Sequence, residues 1–271
     1  MPPSNASTTD LPEWCTPEHW PVLGTGEVHL WRLPLQLSPS LLEPLQGVLS
    51  PDEHARYNRL RSPQQRRRFV IGRAGLRCLL SGYVSCPPSE LRFEYGPHGK
   101  PLLAVGQAAA PAFNLSHAGD LALVGFGDMR CVGVDVERFR ADLAGGAIAQ
   151  RFFHPDEARY LQSLPSQQRQ DAFFNLWCGK EAYIKANGWA IATAMAKFAL
   201  RPADSGDRCL FMVDGQNTAG DRWYIRSLSP QAGHLAAIAA PRPPTRIRYL
   251  NWPRNAWLPS GRAFDRNWRK M

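Results

Sequence analysis

The chain has few lysines, no clustered cysteines and no long apolar run, and each shortage narrows what it can be. Its six cysteines (Cys15, Cys78, Cys86, Cys131, Cys178, Cys209) contain no C-x-x-C pair and no adjacent Cys/His group. That spacing argues against a zinc site or a disulfide framework and fits free thiols in a reducing compartment. No stretch is apolar enough over the length of a bilayer-spanning helix, and the first residues carry no charged segment leading into an apolar one. A cytoplasmic protein is therefore expected. Lysine supplies only five of the 32 basic side chains, leaving 27 arginines and a net charge of +9. Arginine is the better fork for phosphate and carboxylate. A basic balance favours acidic partners: a phosphorylated cofactor, an acidic protein or nucleic acid.

What is present is internal repetition. Ser50-Pro-Asp-Glu-His-Ala-Arg-Tyr57 resembles His154-Pro-Asp-Glu-Ala-Arg-Tyr160, and each looks like a helix start, with proline at the first position and acids in the first turn. Amphipathic helices follow, over 66–82 and 171–187. Further on, Leu115-Ser-His-Ala-Gly-Asp-Leu-Ala122 echoes Leu228-Ser-Pro-Gln-Ala-Gly-His-Leu-Ala236. Three matches in one order imply an α+β duplication, two similar α/β halves related by a pseudo-twofold, each a small antiparallel sheet with a long packed helix. The halves are placed at 26–137 and 138–240. Residues 1–25, rich in Pro, Ser and Thr, read as a poorly ordered extension from which Trp14 and Trp20 dock. Residues 241–271 read as a basic, Pro- and Trp-rich tail wrapping the body.

Within the first half, Phe113–Ser116, Leu121–Phe126 and Cys131–Glu137 read as an antiparallel meander, with turns at 117–120 and 127–130. That register places Glu137 opposite Asp120 and brings His117 to the same sheet end as the carboxylates.

The chemistry concentrates in two segments. In Cys131-Val-Gly-Val-Asp-Val-Glu137 the valines alternate with Gly133, Asp135 and Glu137, so the two carboxylates share a strand face at a spacing of ~7 Å. They repel unless a cation or a proton intervenes. In the helix 171–187, Glu181 falls between Phe174 and Trp177 inside the apolar arc, and the small Cys178, Gly179, Ala182 and Ala186 line the other side, so this helix is expected to be interior. Glu181 needs a partner. One choice is Lys185, a turn later; the other is a metal shared with Asp135 and Glu137. Three carboxylates without His or Cys point to magnesium or manganese. Ser116-His117 at a turn suits phosphate binding or a plain turn. Gly96-Pro-His-Gly-Lys-Pro101 is a Gly/Pro loop with one cation, Lys100; such loops are common, and a backbone approaching a nucleotide would need one. Arg59, Arg66, Arg73 and Arg77 form a stripe whose usual meaning is a solvated face.

Phe113-Asn-Leu-Ser-His117, Gly133-Val-Asp-Val-Glu137, Arg151-Phe-Phe153 and Trp177-x-x-Lys-Glu-Ala-x-x-Lys185, in this order and spacing, resemble the 4'-phosphopantetheinyl transferases of the longer, surfactin-synthetase-activating type. The resemblance implies two α+β halves with coenzyme A in the cleft between them. It implies transfer of 4'-phosphopantetheine from coenzyme A to a serine of an apo acyl or peptidyl carrier protein, with release of 3',5'-ADP. Asp135, Glu137 and Glu181 match the family's magnesium ligands. Lys185 matches a lysine near the pyrophosphate, and Ser116 and His117 match residues holding the coenzyme's phosphates. Lys100 matches an adenine-side contact, and Arg56 a basic residue near the 3'-phosphate. Glu53 and Phe69 stand where relatives carry cation-friendly or polar contacts, with Arg68 or Arg73 as the substitutes for that clamp. Glu181, directly or through a water, is the expected base, and Lys185 the group that stabilises the leaving 3',5'-ADP. Two halves in one chain imply a monomer, acting without nucleic acid or membrane. A magnesium nuclease and a basic nucleic-acid-binding protein are the rival readings. The first lacks its acid-x-Lys strand, and the second leaves three carboxylates unexplained.

Overall fold

The computed structural model describes residues 12–105, 110–140, 145–202, 208–213, 216–217 and 223–252. The chain opens with strand β1 (Glu27–Pro34), helices α1 (Pro39–Gln46), α2 (Pro51–Arg59) and α3 (Pro63–Val84), then strands β2 (Phe93–Tyr95) and β3 (Pro101–Leu103). Strands β4 (Ala112–Ala118), β5 (Leu121–Gly127) and β6 (Gly133–Arg138) follow. Next come helices α4 (Gly145–Phe152), α5 (Pro155–Ser163), α6 (Ser166–Asn187) and α7 (Ile191–Ala194). The chain closes with β7 (Phe198–Pro202), β8 (Arg208–Val213), β9 (Gln216–Asn217), β10 (Tyr224–Leu228), β11 (His234–Ala240) and β12 (Arg246–Asn251).

Two compact units result, one formed by Trp14–Asp128 with the segment from Thr245, the other containing Met129–Pro244. The first carries a sheet in the order β12-β1-β5-β4 and the separate β2-β3 hairpin; the second carries β6-β11-β10-β8-β7, with β9 beside β8. The α+β class is as expected. One pairing departs from an all-antiparallel sheet, since β1 and β12 run parallel.

The same local device builds both units. Ser50 N–H donates to Glu53 Oε2 at 3.1 Å at the start of α2, and His154 N–H donates to Glu157 Oε2 at 3.3 Å at the start of α5. Proline at the first helical position and a reaching glutamate three residues after the cap satisfy donors that a helix start leaves open. Each glutamate is then used again, against a fully buried cation on the following 22-residue helix. Glu53 meets Arg77 of α3 at 2.7 Å, and Glu157 meets Lys180 of α6 at 2.7 Å. Carbonyls take further donors: Arg77 Nη1 reaches Leu91 O at 2.8 Å, and Lys180 Nζ reaches Phe198 O at 2.5 Å, while Arg77 Nη2 is buried without a partner. Buried charge survives only when paired and hydrogen-bonded in this way. The repeat recurs in the hairpins, where β4–β5 turns through Gly119 at φ 58° and β10–β11 through Gly233 at φ 72°.

Several expectations are corrected. Strand β6 does not extend the β4–β5 meander. Both neighbours of β5 are already strands, β1 and β4, and β6 pairs with β11 instead, Asp135 opposite Ala237 and Glu137 opposite Leu235. The division between units therefore falls after Asp128, not after Glu137. Ser116 and His117 lie within β4 and not at its turn, Ser116 buried and His117 exposed. The arginine stripe is no solvated face, since Arg73 and Arg77 are buried. Of the expected N-terminal extension, residues 1–11 lie outside the described residues, while Trp20 stacks on Trp31 at 5.5 Å and Cys15 bridges Leu250. Of the tail, β12 is strand, and residues 253–271 lie outside the described residues.

The first unit encloses a polar trio. Trp31 Nε1 donates to Tyr83 Oη at 2.9 Å, and Tyr83 Oη lies 2.7 Å from His29 Nδ1. Burial first, and the nearby Arg248 charge second, push His29 down to about 4 from 6.5. A folded-state pKa below the unfolded one means that the unfolded chain binds the proton better. Stability is therefore complete above about pH 6.5 and falls as the pH drops toward about 4. Urea unfolding at pH 7.5 and pH 5 should show that loss, and His29→Gln should flatten it; an unchanged slope in the variant would remove His29 as the cause.

Candidate metal centre

The site is built by one close approach. On β6, Gly133 lies against α6, where a Cβ would stand 1.9 Å from Ala182 O, 2.7 Å from Ala186 N and 2.9 Å from Ala186 Cβ. No side chain fits there, so glycine on the strand and alanines on the helix are one requirement, not three choices. The helix is buried on its other side as well, where a Cβ on Gly179 would meet Leu200 at 2.9 Å. This fixes α6 as an interior helix, with Phe173, Phe174, Leu176 and Ile184 buried in the core of its unit.

With strand and helix held that close, the next same-face residues of β6 reach the acid of α6. Oxygens of Asp135, Glu137 and Glu181 lie within 4.8 Å of one another. Asp135 is 1 % exposed and Glu181 8 %. Trp177 Nε1 donates to Glu137 Oε1 at 3.3 Å. Lys185 Nζ lies 2.5 Å from Asp135 Oδ1 and 3.1 Å from Glu181 Oε2. The two partners weighed for Glu181 are thus compatible, because the i,i+4 lysine and the strand acids converge on it.

The electrostatics follow from crowding in a dry place. Burial first, and the Asp135 charge second, push Glu181 up to about 7. Burial and the same neighbour raise Glu137. Burial acts to lower Lys185, but the charges of Asp135 and Glu181 outweigh it and hold the ammonium above its ordinary range. The Cys178 thiol, fully buried near the acids, is held well above its usual value, so it is no nucleophile.

Three hard oxygen donors with no imidazole or thiolate among them suit magnesium or manganese. An octahedral magnesium at ~2.0–2.1 Å from each ligand needs neighbouring oxygens ~3–4 Å apart. The trio's oxygens, within 4.8 Å of one another, lie near that spacing. A cation held there would supply positive charge toward an anionic group, and Glu181 could accept a proton beside it.

The other sequence-predicted residues belong to the first unit. Arg56 is on α2, Ser116 and His117 on β4, and Lys100 closes the β2–β3 loop, where Gly96 N–H donates to Lys100 O at 2.9 Å and Gly99 takes φ 79°. Sequence reasoning missed the Trp177 bond to Glu137 and the reach of Lys185 to Asp135. A glycine inside an otherwise β-branched strand was the available signal that a backbone passes close by.

A largely buried carboxylate trio with an ammonium among it could hold a hard cation. Comparison with known proteins narrows the class. The 4'-phosphopantetheinyl transferase superfamily model matches residues 131–239, and an N-terminal 4'-phosphopantetheinyl transferase model matches residues 38–126. The chain is 40% identical over 217 residues to the 4'-phosphopantetheinyl transferase HetI of Nostoc sp., covering 79% of this chain and 88% of the relative. It is 35% identical to psf-1 of Bacillus pumilus, over 64% of this chain and 72% of the relative. With Sfp of Bacillus subtilis the identity is 25%, over 76% and 88%. The chain belongs to the 4'-phosphopantetheinyl transferase superfamily and is an enzyme of that kind. No described helix is long and apolar enough to cross a membrane.

Replacing Gly133 with alanine should lower stability by ~3 kcal/mol or more, since an overpacked contact against backbone has no flexible end to yield. Denaturant unfolding measures it, together with manganese affinity, which should weaken as strand and helix separate. A variant with native stability and native metal affinity would show that the close approach does not hold the site.

Proposed function

We propose that this chain transfers the 4'-phosphopantetheine arm of coenzyme A to a serine of an apo acyl or peptidyl carrier protein, in a magnesium-dependent reaction that releases 3',5'-ADP. The observation that carries the reading is the convergence of Asp135, Glu137, Glu181 and Lys185 in one buried cluster. Asp135, Glu137 and Glu181 would hold the ion, with manganese as a substitute. When bound there, it supplies charge neutralisation at the pyrophosphate under attack.

The chain's own groups have distinct tasks. Glu181, raised to about 7, is suited to take the serine proton near neutral pH, directly or through a water. Lys185 keeps its proton throughout and provides a fixed positive charge for the departing phosphate. Trp177 holds Glu137 in place from the side. Arg56, Lys100, Ser116 and His117 are assigned to the coenzyme's nucleotide and phosphates. A net charge of +9 favours encounter with an acidic carrier protein. We further assign the enzyme to the cytoplasm, where its dispersed cysteines stay reduced, and to a monomeric state, because both halves lie in one chain.

Incubating the protein with coenzyme A, magnesium and an apo carrier protein should add an arm of ~340 Da to the carrier, seen by mass spectrometry, only when metal is present. Asp135→Ala and Glu181→Ala should each abolish the addition and weaken manganese binding, with folding intact by circular dichroism. Retained activity in either variant removes that residue from the site.

A further inference from the structure

Helix α6 carries two lysines that are held in different ways. Lys180 is fully buried and meets Glu157 Oε2 at 2.7 Å and Phe198 O at 2.5 Å, groups that belong to the fold. Lys185, in the last turn, meets Asp135 Oδ1 at 2.5 Å and Glu181 Oε2 at 3.1 Å, groups that belong to the carboxylate trio. The Lys185 side chain is 23 % exposed, against 1 % for Asp135 and 10 % for Glu181, so the lysine is the member with a route to solvent. Its backbone is fixed, because Gly188 N–H donates to Lys185 O at 3.3 Å and Gly188 ends the helix at φ 68°. Movement of the ammonium therefore falls on the four-carbon stem.

An ammonium and a divalent cation make conflicting demands on these oxygens. Magnesium takes its ligands at ~2.0–2.1 Å. With Lys185 still bonded to Asp135 and Glu181, the two cations would stand a few ångströms apart, and like charges repel strongly in so dry a place. The acids are held in the interior, so relief comes from the lysine. Drawn outward, its ammonium gives up two carboxylates and needs another anion in exchange.

We propose that Lys185 is the built-in counterion of the trio and an exchange switch for loading it. Its ammonium yields Asp135 and Glu181 to a divalent cation when an anionic substrate draws it outward. Cation and polyanion then bind with positive cooperativity, each tightening the other by the same factor. This role precedes the reaction and is separate from the charge that Lys185 offers a departing phosphate. The identity of the polyanion as coenzyme A rests on the phosphopantetheinyl-transfer reading; the opposition between ammonium and cation does not.

Manganese binding to the full chain, followed by electron paramagnetic resonance, tests the switch without turnover. The buffer is mildly alkaline, so that protons do not take the place of the ammonium. Without coenzyme A, Lys185→Met should bind manganese about tenfold or more tightly than the native chain. Adding coenzyme A should tighten manganese binding about tenfold in the native chain and far less in the variant. Unchanged or weaker manganese binding in Lys185→Met, or an equal gain from coenzyme A in both chains, would overturn the proposal. Melting temperatures give a second readout. Metal-free Lys185→Met should melt below the native chain, since three acids lose their counterion, and manganese should raise it by more than it raises the native chain. A variant that folds only when manganese is added supports the switch equally; one that stays unfolded at saturating manganese overturns it. Tighter manganese binding in Lys185→Met with no transfer to a carrier by the native chain keeps the switch and sinks the transfer reading. Transfer by the native chain with unchanged manganese affinity in the variant sinks the switch alone.

Discussion

The contact of β6 with α6 at Gly133 is the constraint from which the carboxylate cluster follows. A backbone carbonyl of the helix occupies the space a strand side chain would need. Everything else at the cluster is a consequence of that approach plus two periodicities. The strand repeat of two brings Asp135 and Glu137 to the face already pressed on the helix, and the helical repeat brings Ala182 and Ala186 to the contact with Glu181 and Lys185 beside it. The acids could not be gathered by a longer side chain at position 133, since the crowding is with backbone.

The duplicated device at α2–α3 and α5–α6 explains how so much charge is tolerated inside two small units. In each, a glutamate that caps its own helix also neutralises a cation buried on the next. The copies differ in the cation, arginine in one and lysine in the other. The difference is met by the surroundings: Arg77 Nη1 finds two carbonyls, while Lys180 finds one carbonyl and the ring of Phe198.

Local signals in the sequence were reliable where the physics is local. Pro-Asp-Glu helix starts, the interior character of α6, the three strands of residues 112–138 and the order of the repeats were all legible from spacing and period. The register of β6 was not. Proximity in sequence suggested β5 as its partner, but β1 from the start of the chain occupies that edge, and only the fold reveals a competitor so distant. The same limit applied to the arginines of α3. A stripe of four cations reads as solvated until tertiary packing supplies Glu53 for one of them and covers another. The carboxylate trio was found because each of its members breaks a local pattern, an acid on a buried face. Its bond to Trp177 was not, because an indole in an apolar arc looks like packing alone.

The lysine at the end of α6 has a consequence for how the cluster comes into being. Its ammonium already bridges the strand acid and the helix acid, so mutual repulsion among three carboxylates does not have to be held off by an outside charge while the chain folds. The protein carries its own placeholder. A divalent ion entering this cluster would compete with the tethered cation for the same oxygens, so its occupancy would depend on where that one flexible side chain points.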